Sequence, residues 1–304
     1  MSKFIKYEKG IYSMLKSKEL INLLLVEIKS KRQIEKLENE FILEKLEKYF
    51  LRNGDIRKKL ELEFELKNKK IVKSKYFKEI VKKIREEIGI IYGCFLTKDF
   101  NKKEKILNQV NIIDENSEEL IKLLKLHKST RERIDFYDDI YSKIFDWYKP
   151  KKIGDLACGL NPVSILFMKK YLGKYPQYFA SDLNPQDMDF LNMFFSKFKF
   201  ESIAKSFDIT NLNILKNEEF NSCDMVFLFK AIDSFESLKK DISKDLLIGI
   251  RAKYIVVSFP RKSLVSGKRF KEERRNWFFN FLDSKSWKYE KFEIENELFI
   301  LIEK

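Results

Sequence analysis

Lys152-Ile-Gly-Asp-Leu-Ala-Cys-Gly-Leu-Asn-Pro162 is the stretch of this 304-residue sequence that decides its fold. An apolar, β-rich run leads into a loop with a single glycine, Gly159, and Asn161 and Pro162 are then suited to cap and to begin a helix. A glycine lets the backbone approach a ligand closely. The Gly-x-Gly-x-x-Gly of nicotinamide enzymes and the Gly-Lys-Ser/Thr of phosphate-binding loops are absent, so neither a pyrophosphate nor a triphosphate is indicated. The stretch predicts a strand, a tight ligand-binding loop and a helix.

Short apolar runs of the same kind recur to the end of the chain, with helix-like stretches between them. They are residues 152–157, 178–182, 202–207, 224–229, 254–259, 289–294 and 298–302. Strands that alternate with helices predict an α/β fold, here a Rossmann-like, mostly parallel sheet wrapped by helices. The last two runs are joined by Glu295-Asn-Glu297, which favours an antiparallel hairpin. Because such sheets bind ligands at the carboxyl ends of their strands, we expect the chemistry there.

Residues 1–126 have a different, helical composition. They contain 30 Lys and Arg, 21 Asp and Glu, and no proline. Apolar residues recur at helical spacing in residues 20–28, 34–50, 56–66, 76–92 and 117–126. We predict two domains: a helical domain over residues 1–126 and the α/β domain over residues 127–304.

The composition limits the class of protein. The sequence is 44% apolar and 14% aromatic, with only nine Gly and five Pro, so the chain can bury a core. No apolar run approaches the roughly 18 residues that cross a bilayer, the N-terminus does not resemble a signal peptide, and the three cysteines are widely spaced. We expect a soluble, cytoplasmic protein with no membrane partner. The net charge of +14 favours a polyanionic partner such as nucleic acid, although a Lys-rich composition alone gives the same excess.

An acidic residue follows the second run at an informative distance from the loop. Asp182 lies 23 residues after Gly159, where a carboxylate can accept hydrogen bonds from both hydroxyls of a ribose. The acid of the first run, the single-glycine loop and this second acid together resemble the class I S-adenosylmethionine-dependent methyltransferases. The resemblance implies that Ala157 and Gly159 lie along the methionine part of the cofactor, S-adenosyl-L-methionine, that Asp182 binds its ribose and that Asp208 lies near its adenine. We assign Phe229, at the end of the fourth run, to the same site.

Four blocks of sequence carry a more specific resemblance. They are His127-Lys-Ser-Thr-Arg-Glu-Arg133, Asp155 to Pro162, Phe227-Leu-Phe-Lys230 and Val256-Val-Ser-Phe-Pro-Arg-Lys-Ser-Leu264. Together they resemble the aminoglycoside-resistance 16S ribosomal RNA methyltransferases, the Arm/Rmt/FmrO family, over residues 127–304. The resemblance implies methylation of N7 of a guanine in the decoding site of the 30S subunit, with the N-terminal helices docking on ribosomal RNA. It also implies that Arg133 meets the carboxylate of the methyl donor, which a guanidinium can grip through two parallel hydrogen bonds.

The acceptor chemistry of this family does not require a catalytic base. Guanine N7 carries a lone pair and no proton, so it can attack a sulfonium methyl group once the two are aligned. The Asn/Asp-Pro-Pro-Tyr/Phe segment of exocyclic-amine methyltransferases is replaced by Phe229-Lys-Ala-Ile232. Cytosine C5 methylation needs a cysteine nucleophile, which typically follows a proline, and no cysteine here does. We interpret His127, the only histidine, as structural. No certain catalytic residue and no metal ligand are predicted.

Two basic segments are candidates for contact with RNA. The loop after the fifth run is predicted on the acceptor side, with Phe259, Arg261, Lys262 and Ser263 as candidates there, and the ring of Phe259 or Trp277 could stack on a flipped guanine. Lys268 and Arg269 are predicted to contact phosphates. Residues 67–85 contain nine basic residues and one acid. In many proteins such a run is an ordinary solvated helix face, but here it lies in a domain that the resemblance assigns to RNA docking. From this segment we select Lys67, Lys69, Lys70, Lys73, Lys82, Lys83 and Arg85.

Other functions stay open at the level of the sequence. The same cofactor could serve methylation of tRNA, another RNA or a small molecule. The fold could also be kept by a noncatalytic RNA-binding or ribosome-assembly protein, in which Gly159 does no more than permit a tight turn. We expect the protein to be a monomer.

Overall fold

The computed structural model describes residues 11, 14–15, 17–31, 34–35, 37–111, 114, 117–262, 270 and 272–304. The chain divides into two compact units, residues 1–93 and 94–304. This division differs from the boundary expected after residue 126. Residues 94–126 belong to the second unit because they pair with it: Leu96 forms an isolated antiparallel bridge with His127, and the Lys103 ammonium makes a buried ion pair with Asp187.

The first unit is helical, as its apolar spacing predicts. The helices that the structure describes there are α1 (Lys18–Lys29), α2 (Asn39–Arg52), α3 (Gly54–Lys67) and α4 (Lys75–Ile91), with a 3-10 helix at Asn68–Lys73. Ser17 and Ser74 cap α1 and α4 by accepting hydrogen bonds from backbone amides three residues on, at 3.2 and 3.1 Å. Helix α2 begins at Asn39, later than the apolar spacing from residue 34 suggests.

The second unit contains shorter helices around its sheet. They are α5 (Lys103–Gln109), α6 (Glu118–Lys125), α7 (Lys128–Arg133), α8 (Tyr137–Trp147), α9 (Ile165–Leu172), α10 (Pro185–Lys197), α11 (Glu218–Asn221), α12 (Ile232–Leu238), α13 (Ile242–Gly249) and α14 (Asn276–Ser284). Among the residues described, no helix combines the length and apolar composition needed to cross a membrane.

A seven-stranded sheet forms the centre of the second unit and confirms the predicted α/β class. Its strands are β1 (Lys152–Leu156), β2 (Gln177–Asp182), β3 (Ser202–Ser206), β4 (Met225–Phe229), β5 (Tyr254–Pro260), β6 (Lys288–Ile294) and β7 (Glu297–Glu303). The order is β3-β2-β1-β4-β5-β7-β6, with β1 to β5 parallel. Strand β7 runs antiparallel to β5 and β6, so the predicted C-terminal hairpin is confirmed.

The central strands of the sheet are buried on both faces, which explains their nearly continuous apolar sequences. Every residue of β4 is buried, and so are the six residues Glu297 to Ile302 of β7. Helices α12, α13 and α14 pack on one face through a cluster that includes Phe235, Leu246 and Phe278. This burial fixes the carboxyl ends of β1, β4 and β5 side by side, which is the edge where an open α/β sheet binds ligands.

Candidate functional site

Two residues with unfavourable backbone geometry lie at the carboxyl ends of neighbouring strands. Ala157 follows β1 with φ of 53°, and Lys230 follows β4 with φ of 56°. A side-chain-bearing residue rarely adopts positive φ, and such strain concentrates at functional sites. Strands β1 and β4 are also the pair at which the strand order reverses. The backbone geometry and the strand order therefore both mark this edge as the candidate ligand site.

The glycine loop and the acid after it are in direct contact. The Gly159 amide donates to Asp182 Oδ2 at 2.8 Å, and the Leu183 amide donates to Asp182 Oδ1 at 2.6 Å. Gly159 has φ of 52°, so its lack of a Cβ also relieves backbone strain. Burial raises the pKa of Asp182 to about 6, and the two amide hydrogen bonds limit the rise. The structure thus brings together the two residues that the sequence pattern selected first.

His127 lies against Gly159 on the other side of the loop. A Cβ built on Gly159 would come within 2.7 Å of both Cε1 and Nε2 of the His127 ring, which stacks on Phe95 with centroids 5.6 Å apart. Burial, followed by the nearby charges of Arg133 and Lys230, lowers the pKa of His127 to about 3. A neutral imidazole packed in this way agrees with the structural interpretation of this residue.

The buried carboxylate of Asp155 is hydrogen-bonded to a residue of the glycine loop and to a tyrosine of β2. Asp155 Oδ2 accepts hydrogen bonds from Tyr178 Oη at 2.6 Å and from Asn161 Nδ2 at 2.8 Å. The expected role of Asn161 as a helix cap is wrong, because its amide is used here and its Oδ1 accepts from Tyr137 Oη at 3.1 Å. The Cys158 thiol is also buried, which raises its pKa well above the usual value and keeps it protonated.

The other residues predicted around the cofactor lie at the same edge of the sheet. Asp208 follows β3, and its Oδ1 accepts from the Thr210 amide at 2.9 Å and from the Thr210 hydroxyl at 2.7 Å. Phe229 ends β4 and is stacked on Phe227 with centroids 4.7 Å apart. Asp208 and Phe229 therefore lie at the ends of different strands, where parallel strands bring their loops together.

Arg133 is buried and engages a partner that the sequence analysis did not name. Its Nε lies 2.9 Å from Glu297 Oε2 and its Nη2 lies 2.7 Å from Glu297 Oε1, while its Cζ lies 4.8 Å from the centre of the Phe229 ring. Burial lowers the pKa of the guanidinium, but the Glu297 charge and hydrogen bonds outweigh burial and raise it. Arg133 is thus fixed in orientation, and Nη1 is the nitrogen not committed to Glu297.

Lys230 extends this charge cluster across the sheet edge. Its Nζ lies 2.6 Å from Glu132 Oε2 and 3.1 Å from Glu297 Oε2, and the Ser258 hydroxyl also donates to Glu297. Burial raises the pKa of Glu297, but the charges of Arg133 and Lys230 exceed this effect and leave the pKa lowered. Glu297 therefore remains an anion between two buried cations.

Sequence reasoning missed Glu132, Lys230 and Glu297 as members of the site. Lys230 had a readable signal, because a lysine directly after an entirely apolar strand is unusual. Glu297 belonged to an acidic connection that was interpreted only as a turn. Its proximity to Arg133, which is 164 residues earlier in the chain, depends on the hairpin position and has no local signal.

The predicted acceptor-side residues have different surroundings. Phe259 is only 1% exposed, packed edge-on against Phe278 at 5.0 Å and covered by Arg275, whose Cζ lies 4.2 Å from its ring centre. This burial leaves no ring face for the predicted stacking on guanine. Arg261 Nη2 lies 2.8 Å from Glu293 Oε1, so this arginine is held by the β6–β7 hairpin. Lys262 is exposed, whereas Ser263, Lys268 and Arg269 lie outside the described residues.

The basic segment of the first unit exposes its described lysines to solvent, whereas its one arginine is held by other residues. The exposed members are Lys70, Lys73, Lys75, Lys78, Lys82 and Lys83, while the side chains of Lys67 and Lys69 lie outside the described part. Arg85 is different, because its Nη2 donates to the Glu27 carbonyl and to Ser30 Oγ, and its Nε donates to the Ile28 carbonyl at 3.2 Å. Its prediction as an RNA contact is not supported, since it caps the carboxyl end of α1.

The strand order, the glycine loop and the acid bonded to it define a class I methyltransferase fold. The solved structure of the 16S rRNA methyltransferase RmtF in complex with S-adenosyl-L-homocysteine shares this fold. It superposes with a TM-score of 0.72 at 20% identity, over 95% of this chain and 99% of that one. The 16S rRNA methylase RmtB superposes with a TM-score of 0.67 at 21% identity, over 93% of this chain and 98% of the other.

The chain belongs to the ribosomal RNA methyltransferase (FmrO) family, whose model matches residues 67–302. It is 28% identical to the 16S rRNA (guanine(1405)-N(7))-methyltransferase of Micromonospora rosea over 236 residues, and this alignment covers 74% of this chain and 83% of the relative. The protein of the same name from Proteus mirabilis is 29% identical over 197 residues, 62% of this chain and 68% of that one. The family match begins inside the first unit and includes the basic segment of residues 67–85.

Proposed function

We propose that this protein transfers the methyl group of S-adenosyl-L-methionine to N7 of a guanine in the 16S ribosomal RNA of the 30S subunit. The observation that carries the donor part is the contact between the Gly159 amide and the Asp182 carboxylate at the ends of β1 and β2. The acceptor part rests on the relatives, which are named for guanine-N7 methylation of 16S rRNA. A cytoplasmic monomer is the simplest form of such an enzyme.

The residues at the sheet edge fit the donor. Gly159 has no side chain, so the His127 ring packs directly against its backbone, and each Asp182 oxygen accepts one amide hydrogen bond and keeps a lone pair for a ribose hydroxyl. Arg133 would meet the donor carboxylate through Nη1, because Glu297 already occupies its other edge. Ala157, Asp208 and Phe229 would complete the site. The bound donor supplies the sulfonium methyl group.

The acceptor needs alignment and no deprotonation, which agrees with the titration of the site. His127 is neutral, and the thiols of Cys158 and Cys223 are protonated, since burial raises the pKa of Cys223 to about 12. A cytosine-C5 mechanism would need a thiolate nucleophile. Guanine N7 already carries the lone pair that attacks the methyl carbon, so the protein's contribution is to orient the two groups and exclude water.

The exposed lysines of residues 67–85 would position the enzyme on RNA phosphates. Four of them, Lys75, Lys78, Lys82 and Lys83, are exposed on α4, where Glu86 is the exposed acid and the acids Glu79 and Glu87 are half-buried. Phosphate contacts of this kind set register and orientation, while the methylated base is chosen by the site itself. The basic surface and the family match to the same segment together favour a docking role for the first unit.

Mass-spectrometric mapping of the methylated nucleoside tests the proposed function. Purified 30S subunits, protein-free 16S rRNA and tRNA are each incubated with the enzyme and labelled S-adenosyl-L-methionine, with Asp182→Ala as the control for the donor site. We expect 7-methylguanosine from 30S subunits and little label elsewhere. Label confined to tRNA would replace the ribosomal assignment, and RNA binding without donor binding in calorimetry would indicate a noncatalytic protein.

A further inference from the structure

A small cavity lies beside the charge cluster, within the second unit. It measures about 130 Å³ and is lined by residues that include Glu132, Arg133, Phe136, Lys230, Glu297 and Phe299. Lys230 directly follows β4, and Glu297 begins β7 opposite Pro260 at the end of β5. The cavity is therefore at the carboxyl edge of the sheet, beyond β4 on the side away from the glycine loop.

We propose that this cavity receives the guanine base to be methylated, and that the Lys230–Glu132 pair reads its O6 and N1–H. The proposal rests on the proposed function and deepens it by naming the residues that select the base. The ammonium of Lys230 and the carboxylate of Glu132 are 2.6 Å apart, so they present a hydrogen-bond donor and an acceptor side by side. Guanine presents the complementary order, an acceptor at O6 next to a donor at N1–H.

The pair has hydrogen-bonding capacity left for a base. Lys230 Nζ donates to Glu132 and lies 3.1 Å from Glu297 Oε2, and an ammonium has three donors, so one remains for an incoming oxygen even with both carboxylates engaged. Glu132 uses Oε2 for Lys230, and within the described part of the chain Oε1 has no hydrogen-bond partner. Its side chain is 41% exposed, which lets a flipped base reach it. Phe136 lines the same cavity and offers an apolar side chain for packing.

This arrangement discriminates among the bases by the order of donor and acceptor. Adenine and cytosine carry an exocyclic amine next to a ring acceptor. In the same position, their amine donor would face the Lys230 ammonium, which is also a donor, and their ring acceptor would face the Glu132 carboxylate. A site built to hydrogen-bond one pattern rejects a base that leaves its polar groups unpaired. Uracil has the same order as guanine but lacks N7. With O6 on Lys230 and N1–H on Glu132, guanine N7 is on the far side of O6 from Glu132 and stays free to react.

Glu132→Ala tests the proposal, with Glu219→Ala as a matched control. Glu219 is also paired with a lysine, Lys205, and is 44% exposed, but it lies on α11 just before β4 at the opposite edge of the sheet. The full-length variants are compared for methylation of 30S subunits and, by calorimetry, for binding of S-adenosyl-L-homocysteine. We expect Glu132→Ala to lose on the order of 10- to 100-fold in kcat/KM for 30S subunits. Its affinity for S-adenosyl-L-homocysteine should match that of the wild type, and Glu219→Ala should be unchanged in both.

A second measurement compares 30S subunits that carry adenine at the methylated position with unaltered ones. The wild type should prefer guanine, and Glu132→Ala should lose about tenfold of that preference. Wild-type kcat/KM in Glu132→Ala, an unchanged base preference, or a parallel loss of S-adenosyl-L-homocysteine binding would each overturn the proposal. A wild-type product other than 7-methylguanosine would overturn the proposed function as well, so the two failures are distinguishable.

Discussion

Gly159→Ala is the substitution that tests the architecture of the donor loop most directly. The new methyl group would lie 2.7 Å from Cε1 and Nε2 of His127, well inside van der Waals contact. The His127 ring is 9% exposed and stacked on Phe95, so it has little room to move away. The alanine would also have to keep φ near 52°.

The two effects have separable magnitudes. Left-handed backbone costs an L-residue roughly 1 to 2 kcal/mol, and overpacking in a filled site costs about 1 to 3 kcal/mol. Gly159→Ala should therefore lower the free energy of unfolding by about 2 to 5 kcal/mol. Gly173 is the matched control: it has φ of 76°, and nothing lies within 4 Å of the position that an alanine methyl group would take, so Gly173→Ala should show the backbone cost alone.

Urea unfolding and calorimetry with S-adenosyl-L-homocysteine measure the outcome. Gly159→Ala is expected to be more destabilising than Gly173→Ala and to weaken donor binding, which Gly173→Ala should leave intact. In the double variant His127→Ala/Gly159→Ala, the overpacking part should disappear, giving a coupling free energy of about 1 to 3 kcal/mol. Equal effects of the two glycine substitutions, with no coupling to His127, would refute this account of the loop.

The charged residues give the remaining predictions. Asp182→Asn should weaken binding of S-adenosyl-L-homocysteine. In the wild type the affinity should rise as the pH increases through about 6, because Asp182 ionises there and its carboxylate then accepts hydrogen bonds from the ribose. Calorimetry should find no such rise in the variant. Arg133→Lys keeps the charge but loses the two parallel hydrogen bonds to Glu297, so urea unfolding should show a loss of about 1 to 3 kcal/mol. Lys82→Glu should weaken binding to 30S subunits and reduce its salt dependence without changing the melting temperature, since Lys82 is 73% exposed. Arg85→Ala should instead lower the melting temperature, because its guanidinium holds the end of α1.

The sheet and its helices were predictable because their signals are local. The apolar runs predicted each strand to within two residues at either end, and the short connection at residues 295–297 predicted the antiparallel hairpin. Gly159 and Asp182 were predictable for a related reason, because their spacing reflects one strand–helix–strand unit. Alternation of strands and helices then determines which loops share an edge.

Contacts between distant residues could not be predicted in the same way. Arg133 was selected for the donor carboxylate, but nothing local indicates that Glu297 would occupy one edge of its guanidinium. Phe259 looked suited to stacking because it follows a strand next to basic residues, yet Arg275 covers its ring. Arg85 belonged to a run of lysines that face solvent, and only the packing of α4 against α1 turns it inward. Each outcome depends on tertiary packing, which residue spacing does not encode.

The charge cluster suits the proposed site, in which one sheet edge holds both an amino-acid carboxylate and an RNA base. Arg133 and Lys230 are buried cations, and such charges are costly unless they are paired. Glu297 compensates both at once, which fixes the orientation of Arg133 and leaves Lys230 one donor for the proposed acceptor side. Because Glu297 begins β7, its position is set by the same hairpin that closes the cavity. In the proposed site, donor binding and base selection would therefore share a single anion, and a change in that anion should affect both.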